Sequence, residues 1–177
     1  GLTQLGEITA SDRTNFWRFA AAAGDSVVLR IGEISQTGNL TLRMRVLNSS
    51  LVQLDTASGP SASEVSIRAT NSGSFTVAVD STTTATGTYR LTMAKTGSQM
   101  SVLPNDEGGT LTNGITQQGS IDLGDLDTWS FTANAGENIV VRIGELTAGL
   151  TPQVRLYGPS GALLGGISGA TAAEVSA

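Results

Sequence analysis

The chain contains neither cysteine nor histidine. Without cysteine there is no disulfide framework and no thiolate metal site. Secretion stays open, because a domain of ordinary size folds without such staples. Without histidine the commonest general base, the Ser-His and Cys-His nucleophile pairs and the usual zinc ligand are all missing. Lys95 is the only lysine and the net charge is −5. No basic patch is present to neutralise phosphates, so nucleic acid is not an expected partner. No apolar run approaches the ~20 residues of a membrane-spanning helix, and no signal peptide is evident. The serines include none in a Gly-x-Ser-x-Gly elbow between strand and helix.

What the chain has is glycine (22 residues), serine and threonine, with 39% hydrophobic, 5% aromatic and 14% charged residues. That is the composition of an all-β protein with many turns and solvated strand faces. It also repeats itself. Asp12–Ile34 (DRTNFWRFAAAAGDSVVLRIGEI) is answered by Asp125–Leu146 (DLDTWSFTANAGENIVVRIGEL). Trp17 matches Trp129, Phe19 matches Phe131, Gly24 matches Gly136, and Arg30-Ile31-Gly32-Glu33 matches Arg142-Ile143-Gly144-Glu145, always 112 residues apart. A long gapless match of this kind predicts tandem copies of one module.

In the first copy, period-two alternation predicts eight strands: Leu2–Ile8, Asn15–Phe19, Val27–Ile34, Leu40–Val46, Leu51–Asp55, Glu64–Ala69, Ser74–Asp80 and Thr88–Ala94. Ala20–Asp25 is too short for a stable helix and reads as a bend. Ser58–Ser63 reads as a loop around Gly59-Pro60. Connections this short demand antiparallel pairing, so the fold class is all-β: tandem antiparallel β-sandwich modules, jelly-roll-like, with about eight strands in a complete module. Trp17, Phe19, Trp129 and Phe131 are the expected core markers. The boundaries are a first module over residues 1–97, a linker over 98–114, and a second module over 115–177 that lacks its last two strands. Ile115–Ile121 is the expected counterpart of the first strand. Beginning at Gly1 and stopping inside the second copy, the chain reads as a piece of something longer. A half-sandwich exposes its inner face and strand edges, so it is expected to associate.

The carriers of a family likeness are now in place. They are Gly124-Asp125-Leu126-Asp127-Thr128-Trp129-Ser130-Phe131, Ala135-Gly136-Glu137, Leu156-Tyr157-Gly158-Pro159-Ser160-Gly161 and Gly87-Thr88-Tyr89-Arg90-Leu91. Together these resemble the bacterial pre-peptidase C-terminal domain, a family related to the collagen-binding domains of clostridial collagenases. The resemblance covers nearly the whole chain. It implies a β-sandwich of secreted proteins with no catalysis of its own, serving adhesion, secretion or spacing. Some members bind calcium between the linker and the Asp-x-Asp turn. The matching positions here are Asn105, Asp106, Asp125 and Asp127, and calcium, as a hard cation, suits such clustered oxygens. The competing reading is that Asp and Asn merely favour turns. The first copy departs from the pattern at Asp12-Arg13-Thr14-Asn15, which keeps one carboxylate and adds a cation.

The repeated Arg30/Glu33 and Arg142/Glu145 read as solvated or paired groups on an outer sheet face, and the pair Arg43/Arg45 as a plain solvated face, rather than as ligand sites. The resulting expectation is a non-catalytic extracellular or cell-surface protein, structural or adhesive, within a surface, matrix or filament assembly. Its partners would be other copies of itself, through strand complementation or filament packing, or an extracellular polymer. The alternative is an accessory module of a secreted hydrolase that binds substrate or assists secretion.

Overall fold

The computed structural model describes residues 2–97, 102, 104 and 106–177. All eight expected N-terminal strands form: β1 (Leu2–Ile8), β2 (Thr14–Ala21), β3 (Ser26–Thr37), β4 (Leu42–Leu47), β5 (Gln53–Gly59), β6 (Ala62–Arg68), β7 (Gly73–Ser81) and β8 (Thr86–Lys95). They build two antiparallel sheets ordered β1-β8-β3-β6 and β2-β7-β4-β5. No helix is present among the described residues, and none is therefore long and apolar enough to cross a membrane. The protein is all-β, with the N-terminal sheets packed as a sandwich.

Alternation decides the inside. β4 runs Leu42, Met44, Val46 inward, all at or below 1% exposure, while Arg43, Arg45 and Leu47 point outward. Val27, Leu29, Ile31, Val65, Val77, Val79, Tyr89 and Leu91 complete the core from both sheets. Several strand ends differ from expectation. β2 runs on through Ala20 and Ala21 before the bend. β5 reaches Gly59 and β6 starts at Ala62, so the expected loop is a tight Pro60-Ser61 connection. Leu40 is buried but precedes β4, and the Leu51–Val52 stretch lies before β5.

Trp17 and Phe19 line the core without being enclosed by it. Both are half-buried and packed against the cluster. A cleft of about 200 Å³ is lined in part by Trp17, Phe19, Leu29, Val77, Leu91 and Met93. Trp17 Nε1 donates to the Tyr89 hydroxyl at 2.9 Å, and that hydroxyl donates to Asn15 Oδ1 at 2.7 Å. Phe19 stacks on Phe75 with ring centres 5.5 Å apart. Trp17 thus packs against the core half-buried, its indole N–H keeping a polar partner in the Tyr89 hydroxyl.

Arg43 and Arg45 are not a free cationic face. Asp80, across the sheet on β7, holds both: Arg43 through two bonds of 2.8 and 2.9 Å, Arg45 through one of 2.6 Å. The Asp80 carboxylate raises the Arg43 pKa further, by hydrogen bonding first and by its charge second.

The C-terminal residues form shorter pieces: β9 (Gly108–Thr110), β10 (Thr128–Ser130), β11 (Val140–Gly144), β12 (Gln153–Tyr157), β13 (Leu163–Ser168) and β14 (Ala172–Ser176). β11 pairs with β14 and β12 with β13, antiparallel; β9 and β10 pair in parallel. The expected linker carries a strand, and one expected strand is missing. The stretch taken as linker contains β9, and a parallel pair is possible because a long connection separates it from β10. Residues 115–121 form no strand. Their N-terminal counterpart, β1, hangs on β8 alone, and nothing equivalent to β8 occurs among the described C-terminal strands. Trp129 and Phe131 are half-buried, outside the core cluster.

The outer face of β3 also departs from the alternation rule. Val28 is 6% exposed and Gly32 is buried although both point away from the core. C-terminal residues cover Gly32. A Cβ on Gly32 would meet Leu123 and Gly124 backbone atoms at 2.5 Å. Around this contact, Arg90 pairs with Asp122 at 3.1 Å, Arg155 pairs with Glu64, and Ser26 Oγ donates to the Gly161 carbonyl at 2.5 Å.

Candidate metal centre

The acidic residues converge because of the parallel pair. β9 and β10 align Gly108 with Thr128, so the preceding residues, Asp106-Glu107 and Asp127, arrive at the same end of the ladder. Gly108 sits at φ +145°, and a Cβ there would meet the Thr128 carbonyl oxygen at 2.6 Å, so glycine permits the approach. The other arm is a turn: Asp125 N–H donates to the Asp122 carbonyl at 3.0 Å, with Gly124 at φ +84°. This turn points Asp125 inward, leaving it 6% exposed.

Oxygens of Asp106, Asp125 and Asp127 lie within 4.8 Å of one another. Asp106 Oδ1 accepts from Glu107 N–H at 3.1 Å, and Asp125 Oδ1 from Leu126 N–H at 2.8 Å. Asp127 Oδ1 is enclosed and has no hydrogen-bond partner. Gly119 closes one side: a Cβ there would stand 2.9 Å from Asp127 Oδ2 and 3.0 Å from Glu107 Cγ. Residues 115–121, expected as a strand, thus pass the acidic cluster instead. Asn105 lies outside the described residues.

Burial, and then the charges of Asp125, Glu107 and Asp106, push the Asp127 carboxyl from its ordinary 3.8 up to about 7. Like charges at short range disfavour further ionisation. A hard divalent cation relieves all of this at once, since it supplies the partner the orphaned oxygen lacks and neutralises the repulsion. The donor set fits such an ion. The raised acid also fixes the sign of a pH effect. In metal-free protein, the Asp127 contribution to stability is full below about 4 and is lost as pH rises through about 7. Thermal melts without divalent ions are expected to show this decline, and Asp127→Asn to flatten it. An unchanged slope in the variant would place the titration elsewhere.

The N-terminal positions that match Asp125 and Asp127 are Arg13 and Asn15. Arg13 donates to the carbonyls of Thr84 at 3.2 Å and Ala85 at 3.1 Å, and also to that of Thr83. Asn15 is the acceptor for Tyr89. A guanidinium tied to backbone occupies the place of a carboxylate, so these residues offer no cation site. Of the other repeated charges, Arg142 pairs with Glu174, and Glu145 accepts the Leu150 N–H at 3.2 Å. Glu107 is the contributor that motif matching does not single out; only its place in the Asn105-Asp106-Glu107 run signals it.

No family model and no curated protein matches the chain. Among solved structures it is similar to the pre-peptidase C-terminal domain of collagenase from Bacillus anthracis, at 15% identity and TM-score 0.42, covering 52% of this chain and 88% of that one. It is also similar to a periplasmic inhibitor of g-type lysozyme from Aeromonas hydrophila, at 14% identity and TM-score 0.39, over 52% and 85% of the two chains. A third is a family two carbohydrate esterase from Cellvibrio japonicus, at 17% identity and TM-score 0.22, over 62% and 39%. The likeness is one of all-β fold alone.

Proposed function

We propose that the chain is a non-catalytic module pair: two copies of one β-sandwich unit, residues 1–97 and 115–177, that hold a calcium ion at the junction formed by residues 98–114. Its role is structural or adhesive, at the cell surface, in the extracellular matrix or in a filament, with other copies or an extracellular polymer as partner. The observation that carries this reading is the cluster itself. Asp106 comes from the junction and Asp125 and Asp127 from the second unit's first turn, and Asp127 Oδ1 is buried without a partner. An ion held from both sides would stiffen the connection and set the angle between units. The pairing supports two copies: Arg30 stands opposite Glu64 as Arg142 stands opposite Glu174. The chain also offers no imidazole or thiolate for chemistry.

Calorimetry and thermal melts on calcium-free protein test the ion. Calcium is expected to bind once per chain and to raise the melting temperature, with about 2.7 kcal/mol of added stability at a hundredfold excess over Kd. Asp127→Asn and Asp125→Asn are expected to abolish both effects. No heat and no shift at millimolar calcium would end the proposal. Glu174→Gln, which breaks the Arg142 pair and touches none of the three cluster residues, is the control and should bind calcium unchanged.

A further inference from the structure

The two sheets of the N-terminal sandwich part along one side. Their strand orders end there in β1 and β2, each with a neighbour on one flank only. The cleft of about 200 Å³ opens between these edge strands. Its floor is Leu29, Val77 and Leu91, all part of the core cluster. Trp17 and Phe19 of β2 and Met93 of β8 form its walls. Gln4 stands opposite Leu91 in the β1–β8 ladder, so the two side chains share the face that looks into the cleft. An exposed amide thus takes a place where alternation calls for an apolar residue, and the side of the sandwich is left unplugged.

The aromatic walls are fixed in advance. Trp17 is held by its bond to the Tyr89 hydroxyl at 2.9 Å, and Phe19 by its stack on Phe75. A ligand need not order either ring, which removes one cost of binding. Arg18, between the two rings on the strand, also borders the cleft. It is exposed and forms no ion pair among the described residues. Arg43, Arg45, Arg90, Arg142 and Arg155, by contrast, are all paired with carboxylates. The cleft therefore combines an apolar interior, two rigid aromatic walls and one unpaired cation at its border.

We propose that this cleft binds a small aromatic carboxylate, with the ring inside and the carboxylate at Arg18. The size fits: a cavity of about 150 Å³ lined by aliphatic and aromatic side chains is enough to hold benzene, so this one takes a single ring and a short tail. A ring between Trp17 and Phe19 gains edge-to-face or offset contacts, and the Met93 thioether adds a sulfur–aromatic contact. The carboxylate sets the orientation. It cannot enter the apolar floor unpaired, whereas the Arg18 guanidinium at the border offers it charge-assisted hydrogen bonds. The site belongs to the first copy alone. Trp129 and Phe131 repeat the two aromatics, but Ser130 stands where Arg18 does, so the cation is lost.

The test is NMR of the methionine methyl groups in the full chain, titrated with 3-phenylpropanoate. Its neutral amide, the cationic 3-phenylpropylamine and the ring-free hexanoate are the comparators. The Met93 methyl is expected to shift saturably under the ring current, with a Kd on the order of 1 mM or below. The Met44 methyl, enclosed in the core, should stay where it is. The amide and hexanoate are expected to bind about fivefold or more weakly than the acid, and the amine more weakly still. Arg18→Gln, at an exposed position, should bring the acid down to the level of the amide and leave the amide unchanged. The proposal is overturned by no saturable Met93 shift, by equal binding of acid, amide and amine, or by hexanoate binding as well as the aromatic acid. A preference for the acid that survives Arg18→Gln overturns it too, as does a Met44 shift that tracks Met93, which would mean a loosened core rather than a filled cleft.

Discussion

Tyr89→Ala is expected to destabilise the N-terminal sandwich by about 3–5 kcal/mol, the range for removing a large buried aromatic. Tyr89 is 0% exposed and stands among the largest fully enclosed side chains of the protein. Its ring fills the space over Gly6, where any Cβ would collide with it. Its hydroxyl joins Trp17 to Asn15. The loss is therefore double: a cavity in the core, and two polar groups without a partner. Tyr89→Phe separates the two, since it keeps the ring and removes only the bridge, at about 1–3 kcal/mol. Burial pushes the phenol up to about 12, the bond from Trp17 opposing it, so no ionisation confuses the comparison near neutral pH. Urea denaturation of the three proteins measures both steps. A loss below about 1 kcal/mol for the alanine variant would mean the site collapses freely, against the close packing typical of protein cores.

Gly32→Val is expected to separate the C-terminal strands from the sheet they cover. The new side chain would begin 2.5 Å from backbone atoms of Leu123 and Gly124, which cannot rotate away as a side chain can. From the other side, a Cβ on Gly124 would stand 2.5 Å from Gly32 N and 2.7 Å from its Cα. Overpacking of this kind costs about 1–3 kcal/mol, and more where the obstacle is main chain. Relief comes from undocking, which also opens the Arg90–Asp122 pair. The repeat provides the control. Gly144 matches Gly32 in sequence, yet a Cβ there would meet nothing closer than the Thr171 carbonyl oxygen at 3.9 Å. Gly144→Ala is expected to be neutral, or stabilising by about 0.5–1 kcal/mol, as Ala for Gly in a strand. Limited proteolysis and tryptophan fluorescence read the difference. Equal effects at the two glycines would contradict the packing described.

Period-two patterning made the N-terminal strands legible, because each buries one face only. Leu42, Met44 and Val46 announce the core, and the turns between strands are rich in Gly, Asn and Ser. The failures come where a residue's fate depends on chain far away. Gly32 looks solvated until the Leu123–Gly124 segment lies on it. Arg43 and Arg45 look like a free pair because Asp80, their shared partner, is more than thirty residues on. Residues 115–121 carry the same pattern as β1, but a strand needs a neighbour as well as a pattern. Trp17 reads as core by hydrophobicity, while its N–H holds it at the rim beside Tyr89.

The candidate metal centre was legible in part. The Asp-x-Asp turn and the acidic junction are visible as motifs. Their convergence depends on β9 and β10 pairing in parallel, and a three-residue strand within a Gly-rich junction carries no alternation to detect. Glu107 and Gly119 enter only through that convergence. The matching N-terminal turn shows how little sequence separates a cation site from a latch. Arg13 and Asn15, in place of Asp125 and Asp127, bind backbone and a tyrosine instead.

Terbium luminescence in Trp17→Phe protein tests the cation site. Terbium binds oxygen sites of the calcium type, and Trp129, two residues from Asp127, is then the only indole left to sensitise it. Saturable green emission is expected on excitation of Trp129, displaced by calcium and absent in the additional Asp127→Asn variant. No sensitised emission at saturating terbium, or emission that survives Asp127→Asn, would contradict a cation held by Asp106, Asp125 and Asp127.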